Sequence, residues 1–227
     1  MFHYQGLTTF ALPAEKLRLA SGTKERIVRR HAILVLCLAL ISTAALAQGA
    51  RVDVAANLTG VFGQTVTGNP ITQKQTNSAG GLFSFRYFLG KYAGVEANYG
   101  YTRNSQNYIG PGTAVGIQAG VHEVTGALVL RYGPKPIQPF VLVGGGLLMF
   151  HPTSHAISST SLAIRSENHG VFLYGGGADL KMAKMVGLRV QVRGLMYQAP
   201  EFHDATDLHT GQTMNTIEPT VGLVFKF

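Results

Sequence analysis

An alternation of apolar and polar side chains with a period of two residues is the feature that most constrains this chain. In segment 92–102 one set of positions is Ala93, Val95, Ala97, Tyr99 and Tyr101, and the set between them is Gly94, Glu96, Asn98, Gly100 and Thr102. The same alternation recurs in segments 51–60, 186–197 and 221–227. Successive side chains point to opposite faces in a strand, whereas a helical face repeats every 3.6 residues. The pattern therefore predicts β-strands that each have one apolar face.

Strand lengths and connection lengths carry a second, independent signal. Eight strands are predicted, at 51–63, 78–88, 92–103, 119–132, 138–150, 169–181, 185–198 and 214–227. They exceed the roughly five or six residues usual in soluble sheets and suit tilted strands that cross about 25 Å of apolar membrane. The links between them alternate between long (64–77, 104–118, 151–168, 199–213) and short (89–91, 133–137, 182–184). Long loops at one end and short turns at the other predict an all-β fold, an eight-stranded antiparallel up-and-down transmembrane β-barrel.

The positions of the charges indicate which face of each strand lies inside. Both signs fall on the polar face, at Asp53, Arg86, Glu96, Glu123, Arg131, Asp179, Arg189 and Arg193. Charges enclosed in a narrow barrel have to be paired, so we expect an interior ion-pair network. The opposite face carries Phe83, Phe85, Tyr87, Tyr99, Tyr101, Leu128, Leu130, Tyr132, Phe225 and Phe227, as a lipid-facing surface does. A soluble periplasmic ligand-binding barrel, with the aromatic face inside, remains the alternative.

Net charge and cysteine content exclude several classes of protein. The formal charge is +8, but half of the excess precedes Gln48 and the rest is dispersed, so no nucleic-acid partner is expected. The single cysteine, Cys37, also precedes Gln48. The remainder of the chain therefore has neither a disulfide nor a thiolate metal site, and we predict no cofactor.

The N-terminal segment has the composition of an export signal. In residues 26–47, Arg29 and Arg30 precede an apolar stretch of about 15 residues, which is shorter than the roughly 20 needed for a membrane-spanning helix. Small residues at Ala45 and Ala47 predict cleavage before Gln48. We therefore divide the chain into a disordered or mis-assigned leader (1–25), a signal peptide (26–47) and a barrel domain (48–227).

Together, these features resemble the OmpA/OmpX-type outer-membrane β-barrel proteins, and in particular their short, barrel-only members. The resemblance rests on the export signal, the eight strands, the inward charges and a terminal pattern of Val221, Leu223, Phe225 and Phe227. In that family such a tail is the recognition signal for the barrel-insertion machinery. The resemblance implies residence in the bacterial outer membrane, with outer-membrane lipid, that machinery and an unidentified extracellular ligand as partners.

Three functions follow, in this order of preference. The first is a structural or surface-interaction role through the extracellular loops, the second a narrow porin-like channel, and the third a lipid A-modifying enzyme. An acyltransferase or deacylase would need a serine beside an oriented histidine, and the candidates are His151, Ser154 and His155, with Ser158 to Ser161 beyond. The pair His122 and Glu123 cannot cooperate directly, because adjacent strand residues face opposite ways. No metal site is predicted, since His151, His155, His203 and His209 form only a loose set. We predict that the protein is not an enzyme.

Overall fold

The computed structural model describes residues 51–111, 113–133, 136–156, 165–202 and 210–227. The leader, the signal peptide and the cleavage site at Ala45, Ala47 and Gln48 lie outside these residues. The described strands are β1 (Arg51–Gly63), β2 (Thr65–Gly68), β3 (Ile71–Gln75), β4 (Ser78–Phe88), β5 (Ala93–Gly110), β6 (Thr113–Arg131), β7 (Ile137–Ala156), β8 (Glu167–Lys181), β9 (Val186–Gln198) and β10 (Thr213–Lys226). Among the described residues, no helix is long and apolar enough to cross a membrane.

Eight of these strands close into an antiparallel barrel. The order around the wall is β1, β4, β5, β6, β7, β8, β9 and β10, and each strand pairs with the next. The ring closes where β10 pairs with β1, in a register that sets Val54 opposite Phe225. At the end of the chain, the amide of Phe227 donates to the carbonyl of Val52 at 2.8 Å. The remaining strands, β2 and β3, form a hairpin that pairs with the far end of β5.

The two faces of the wall are inverted relative to a soluble barrel. Inward positions bury charged and polar side chains, and the guanidinium groups of Arg86, Arg189 and Arg193 are among the most enclosed side chains of the molecule. Outward positions expose large apolar ones, such as Leu128 at 61% and Phe172 at 51%. An exposed apolar band of this extent is an aggregation hazard in water but the natural surface of a barrel in lipid. The facing of the strands predicted from the charges is the facing observed.

The wall extends beyond the predicted strand ends on one side. β5 and β6 pair without interruption up to Gly110 and Thr113, so most of the predicted long loop 104–118 is strand. β7 likewise continues to Ala156, and the loop 64–77 contains the β2–β3 hairpin. The loop prediction was wrong here because the inward positions of this region include Asn104 and Gln106. This part of β5 is polar on both faces and lacks the hydropathy alternation from which the other strands were recognised, whereas β6 keeps it, with Val115, Ile117 and Ala119 buried.

The two glycine triplets lie inside strands of the wall. Gly144–Gly146 belong to β7 and Gly175–Gly177 to β8. A Cβ atom on Gly144 would lie 2.0 Å from the carbonyl oxygen of Gly126 on the neighbouring strand. The glycines thus permit a close approach of backbones in a narrow barrel, which agrees with a structural role rather than with phosphate binding.

Candidate functional site: the barrel interior and its outer cap

The basal charge layer is the name we give to the charged residues in the half of the interior nearer the short turns, which the loop lengths predict to be the periplasmic side. It consists of three acids and three bases, Asp53, Arg86, Glu96, Asp179, Arg189 and Lys226. Arg189 binds Asp179 in a bidentate manner, with Nε–Oδ1 and Nη2–Oδ2 distances of 2.7 and 3.0 Å. Arg86 pairs with Glu96, and its guanidinium lies 3.9 Å from the centroid of the Phe140 ring. Equal numbers of opposite charges make this enclosed layer neutral.

A second group, the central charge layer, lies farther along the barrel axis. Arg193 donates from Nη1 and Nη2 to the two oxygens of Glu123 at 2.9 and 2.8 Å, and it also pairs with Glu218. All three side chains are buried. The partners come from β6, β9 and β10, so this contact ties together three strands of the wall. Because one guanidinium faces two carboxyl groups, the layer has one acid in excess.

The structure places seven of the eight charged residues predicted from sequence in these two groups, and the eighth, Arg131, interacts electrostatically with Asp53 of the basal layer. Arg131 lies at the periplasmic end, where its Nε donates to the carbonyl of Lys91 at 3.2 Å and its guanidinium lies 3.5 Å from the centroid of Phe88. Sequence reasoning missed Glu218 and Lys226. Both share the inward parity of β10, and extending the alternation of the terminal strand back to residue 218 would have found the glutamate.

Beyond the central layer, an apolar and aromatic group that we call the outer cap fills the mouth of the barrel. Its core is formed by Phe150, Tyr197, Ala199, Phe202 and Met214, all at most 4% exposed. Phe202 packs edge-on against Phe150, with ring centroids 6.3 Å apart. Between the cap and the central layer remains a cavity of about 20 Å³, which accommodates one or two water molecules.

Hydrogen bonds fix the chain segment that lies across this mouth. The hydroxyl of Tyr108 donates to the carbonyl of Pro200 at 2.6 Å. Gln73 of the hairpin lies 3.0 Å from the Tyr108 hydroxyl and 3.3 Å from the same carbonyl. Burial raises the pKa of Tyr108, and nearby Glu167 adds to the effect. The phenol therefore stays protonated, and the extension of β5 is tied to the segment that follows β9.

Two of the histidines considered for catalysis, His122 and His151, lie elsewhere, on the outer surface of the wall. His122 faces outward while Glu123 faces the interior, as expected for adjacent strand residues. His151 Nδ1 lies 3.2 Å from the hydroxyl of Ser166, in an exposed position. The remaining candidates lie outside the part of the chain that the structure describes. They are residues 158–161, His203, His209 and the side chains of Ser154 and His155. Within the described part, no three His, Cys, Asp or Glu side chains converge as metal ligands.

A family model and a solved structure with a TM-score of 0.50 agree with this architecture. The family model described as "Outer membrane protein beta-barrel domain" matches residues 33–227. Among solved structures, Neisserial surface protein A is similar at 12% identity with a TM-score of 0.50, covering 78% of this chain and 97% of that one. OprG from Pseudomonas aeruginosa is similar at 12% identity and a TM-score of 0.49, covering 78% and 95%. No protein with a curated description matches in sequence.

Proposed function

Because the chain belongs to the outer membrane protein beta-barrel domain family, we propose that this outer-membrane barrel acts through its projecting end, as a surface-interaction protein. The observation that supports this role is the continuous β5–β6 ladder from Thr102 and Val121 to Gly110 and Thr113. Eight further residues of strand correspond to about 27 Å along the strand direction. The outer ends of β5 and β6 thus form an ordered projecting surface, which we call the platform. The β2–β3 hairpin pairs with it on one side and β7 on the other.

The surface chemistry of this platform suggests the kind of ligand. Outward positions beyond Tyr101 include the uncharged, hydrogen-bonding side chains of Ser105, Asn107, Gln118 and Thr153, with Arg103 and Ile109 also on this face. The hydroxyls of Thr67 and Thr72 lie 3.1 Å apart on the exposed face of the hairpin. Side chains that donate and accept hydrogen bonds without net charge match hydroxyl-rich ligands, so we propose saccharide-bearing surfaces as the partner.

A filled interior argues against the channel alternative. The two charge layers occupy the inner and central bore, and the outer cap covers the mouth. Eight strands enclose a space that their own side chains suffice to fill. The described residues do not support the hypothesis of a lipid A-modifying enzyme. His151 and Ser166 form a hydrogen bond on the outer surface, but among the described residues no carboxylate is hydrogen-bonded to His151 to orient it.

A truncation of the platform tests the proposal. Residues 105–118 are replaced by Asn-Gly, which joins Asn104 to Ala119 through a two-residue hairpin turn at a pair that is already in register. Cells displaying the intact or the shortened barrel are applied to arrays of neutral, sialylated and sulfated glycans. We expect the intact barrel to bind neutral glycans and the shortened one to lose binding while keeping its heat-dependent gel mobility. Equal binding by both barrels, or by neither, would overturn the proposal.

A further inference from the structure

The outer surface of β5 to β7 carries a cluster of one arginine, one tyrosine and two histidines at the base of the projecting platform. The strand registers set Arg103, Gly120 and His151 side by side across three neighbouring strands, and Ser166, directly before β8, lies against His151. Two residues nearer the membrane centre, Tyr101, His122, Met149 and Asn168 form the next row. We call Arg103, Tyr101, His122 and His151 the outer-face cluster.

Ring contacts make this cluster a compact surface. The ring centroid of His122 lies 4.9 Å from that of Tyr101 and 5.4 Å from that of His151. Gly120 lies between Arg103 and His151, and a Cβ there would meet the Tyr101 hydroxyl at 3.3 Å. The tyrosine side chain therefore covers the gap, and its hydroxyl lies between the arginine position and the two histidines.

The hydrogen bonds of the histidines leave their outer nitrogens available to a ligand. His122 Nδ1 lies 2.8 Å from the Tyr99 hydroxyl, and His151 Nδ1 lies 3.2 Å from the Ser166 hydroxyl. When a hydroxyl donates to Nδ1, the proton of a neutral imidazole is on Nε2. With the two hydroxyls as donors, each imidazole has an N–H group left for a ligand on the outward surface that also bears Tyr101 and Arg103, and such a set suits a phosphate.

A groove in the wall lies below the outer-face cluster. Ala97, Gly126, Gly145 and Phe172 share one row of the sheet, four residues from the row of Tyr101 and His122, or about 13 Å along the strands. The groove is shallow and open to the outside, with a volume of about 520 Å³, and its outward walls are Val95, Leu128, Val143 and Phe172. If a lipid headgroup binds at the outer-face cluster, the part of the same lipid that reaches the groove is an acyl chain.

We propose that the outer wall of β5 to β8 binds one phosphorylated glycolipid of the outer leaflet. Its phosphate contacts Arg103, His122 and His151, and one acyl chain occupies the groove at Gly126. The positive charge of Arg103 favours a ligand with an anionic headgroup. The distance between the cluster and the groove favours a lipid with a long acyl chain over a free phosphate ion. This inference depends on the membrane location of the barrel and is independent of what the projecting platform binds.

Native mass spectrometry of the full chain in detergent, with lipid A as the probe, tests the site. We expect one lipid A to be retained, and about tenfold less of the same lipid after its phosphates are removed, given the strength of charge-assisted hydrogen bonds. Phosphatidylglycerol is the second anionic probe, and we expect it to be retained less than lipid A. Equal retention of the dephosphorylated lipid or of phosphatidylglycerol would overturn the proposal.

Two variants separate head and chain recognition. Arg103→Gln removes the charge at the cluster, and we expect about tenfold lower retention of lipid A. Gly126→Leu fills the groove without a backbone clash, because the nearest atom to an added Cβ is 3.8 Å away, and we expect it to lower retention as well. The matched controls are Lys184→Gln, at a periplasmic turn, and Ala56→Leu, on the opposite wall. Unchanged retention in both site variants, or equal loss in the controls, would overturn the proposal, and heat-dependent gel mobility verifies folding in each case.

Discussion

Arg193 is the residue on which the largest single stability effect is expected. It is fully buried and pairs with Glu123 and Glu218 at the same time. Arg193→Met leaves two enclosed carboxyl groups without a cation, so we expect the free energy of unfolding to fall by about 3–5 kcal/mol. Urea titration in lipid vesicles, followed by heat-dependent gel mobility, measures this change.

The excess acid of the central layer gives a contrasting expectation for Glu218→Gln. This variant leaves one guanidinium opposite one carboxylate, Glu123, so we expect a loss of no more than about 1 kcal/mol in the free energy of unfolding. The same urea titration compares it with Arg193→Met. Equal losses in the two variants would show that the charge count of the layer does not govern its stability.

Tyr108 links protonation to the closure of the outer cap. Burial raises its pKa above the ordinary value of about 10, because ionisation would place a charge beside the Pro200 carbonyl. The hydrogen bond therefore contributes its full stabilisation below about pH 10 and is lost as pH rises further. Tyrosinate absorbance of the protein minus that of Tyr108→Phe isolates this phenol. A difference curve with the same midpoint as N-acetyltyrosine amide in the same buffer would contradict the expectation.

At the residue scale, inward and outward facing follow directly from the sequence, whereas individual partners do not. Asp179 and Arg189 share a face, as their strand parity predicts, and they are also paired in register. The contact between Arg193 and Glu123 joins strands that are not neighbours in the wall, so parity alone does not give it. Partners across the bore depend on the stagger of the strands, which no local pattern encodes.

Among the elements, β10 has two tasks that an experiment can separate. Its outward Phe225 is exposed to lipid, as is Phe227 directly after it, and the backbone of Phe227 closes the barrel against Val52. We predict that Phe227→Ala slows assembly by the barrel-insertion machinery but leaves spontaneous folding in detergent unchanged, because the backbone bonds of closure remain. Assembly rates in proteoliposomes with and without the machinery measure this effect. Phe83→Ala, another lipid-facing aromatic change, is the control, and an equal slowing by both changes would contradict a terminal signal.

The boundaries of β5, β6 and β7 show where local pattern stops being informative. Inside the membrane, the apolar surroundings require one face to be apolar, and the strands could be predicted within a few residues. In the projecting part, water lies outside and Gln73, Gln106 and Tyr108 satisfy one another inside. That environment removes the hydropathy contrast along β5, whereas β6 keeps an alternation, with Val115, Ile117 and Ala119 buried, from which its extension could have been predicted.

For the whole molecule, the stacked layers predict that ions do not pass. Three groups of side chains block the bore one after another: the basal charge layer, the central charge layer and the outer cap. We expect no conductance steps from the folded barrel in planar bilayers, measured beside a known porin in the same lipid. Phe202→Gly removes the largest aromatic contact of the segment across the mouth, yet we expect it to remain silent, since the charge layers below are untouched. Steps in the variant alone would identify the cap as the seal, and steps in the unaltered barrel would restore the channel alternative.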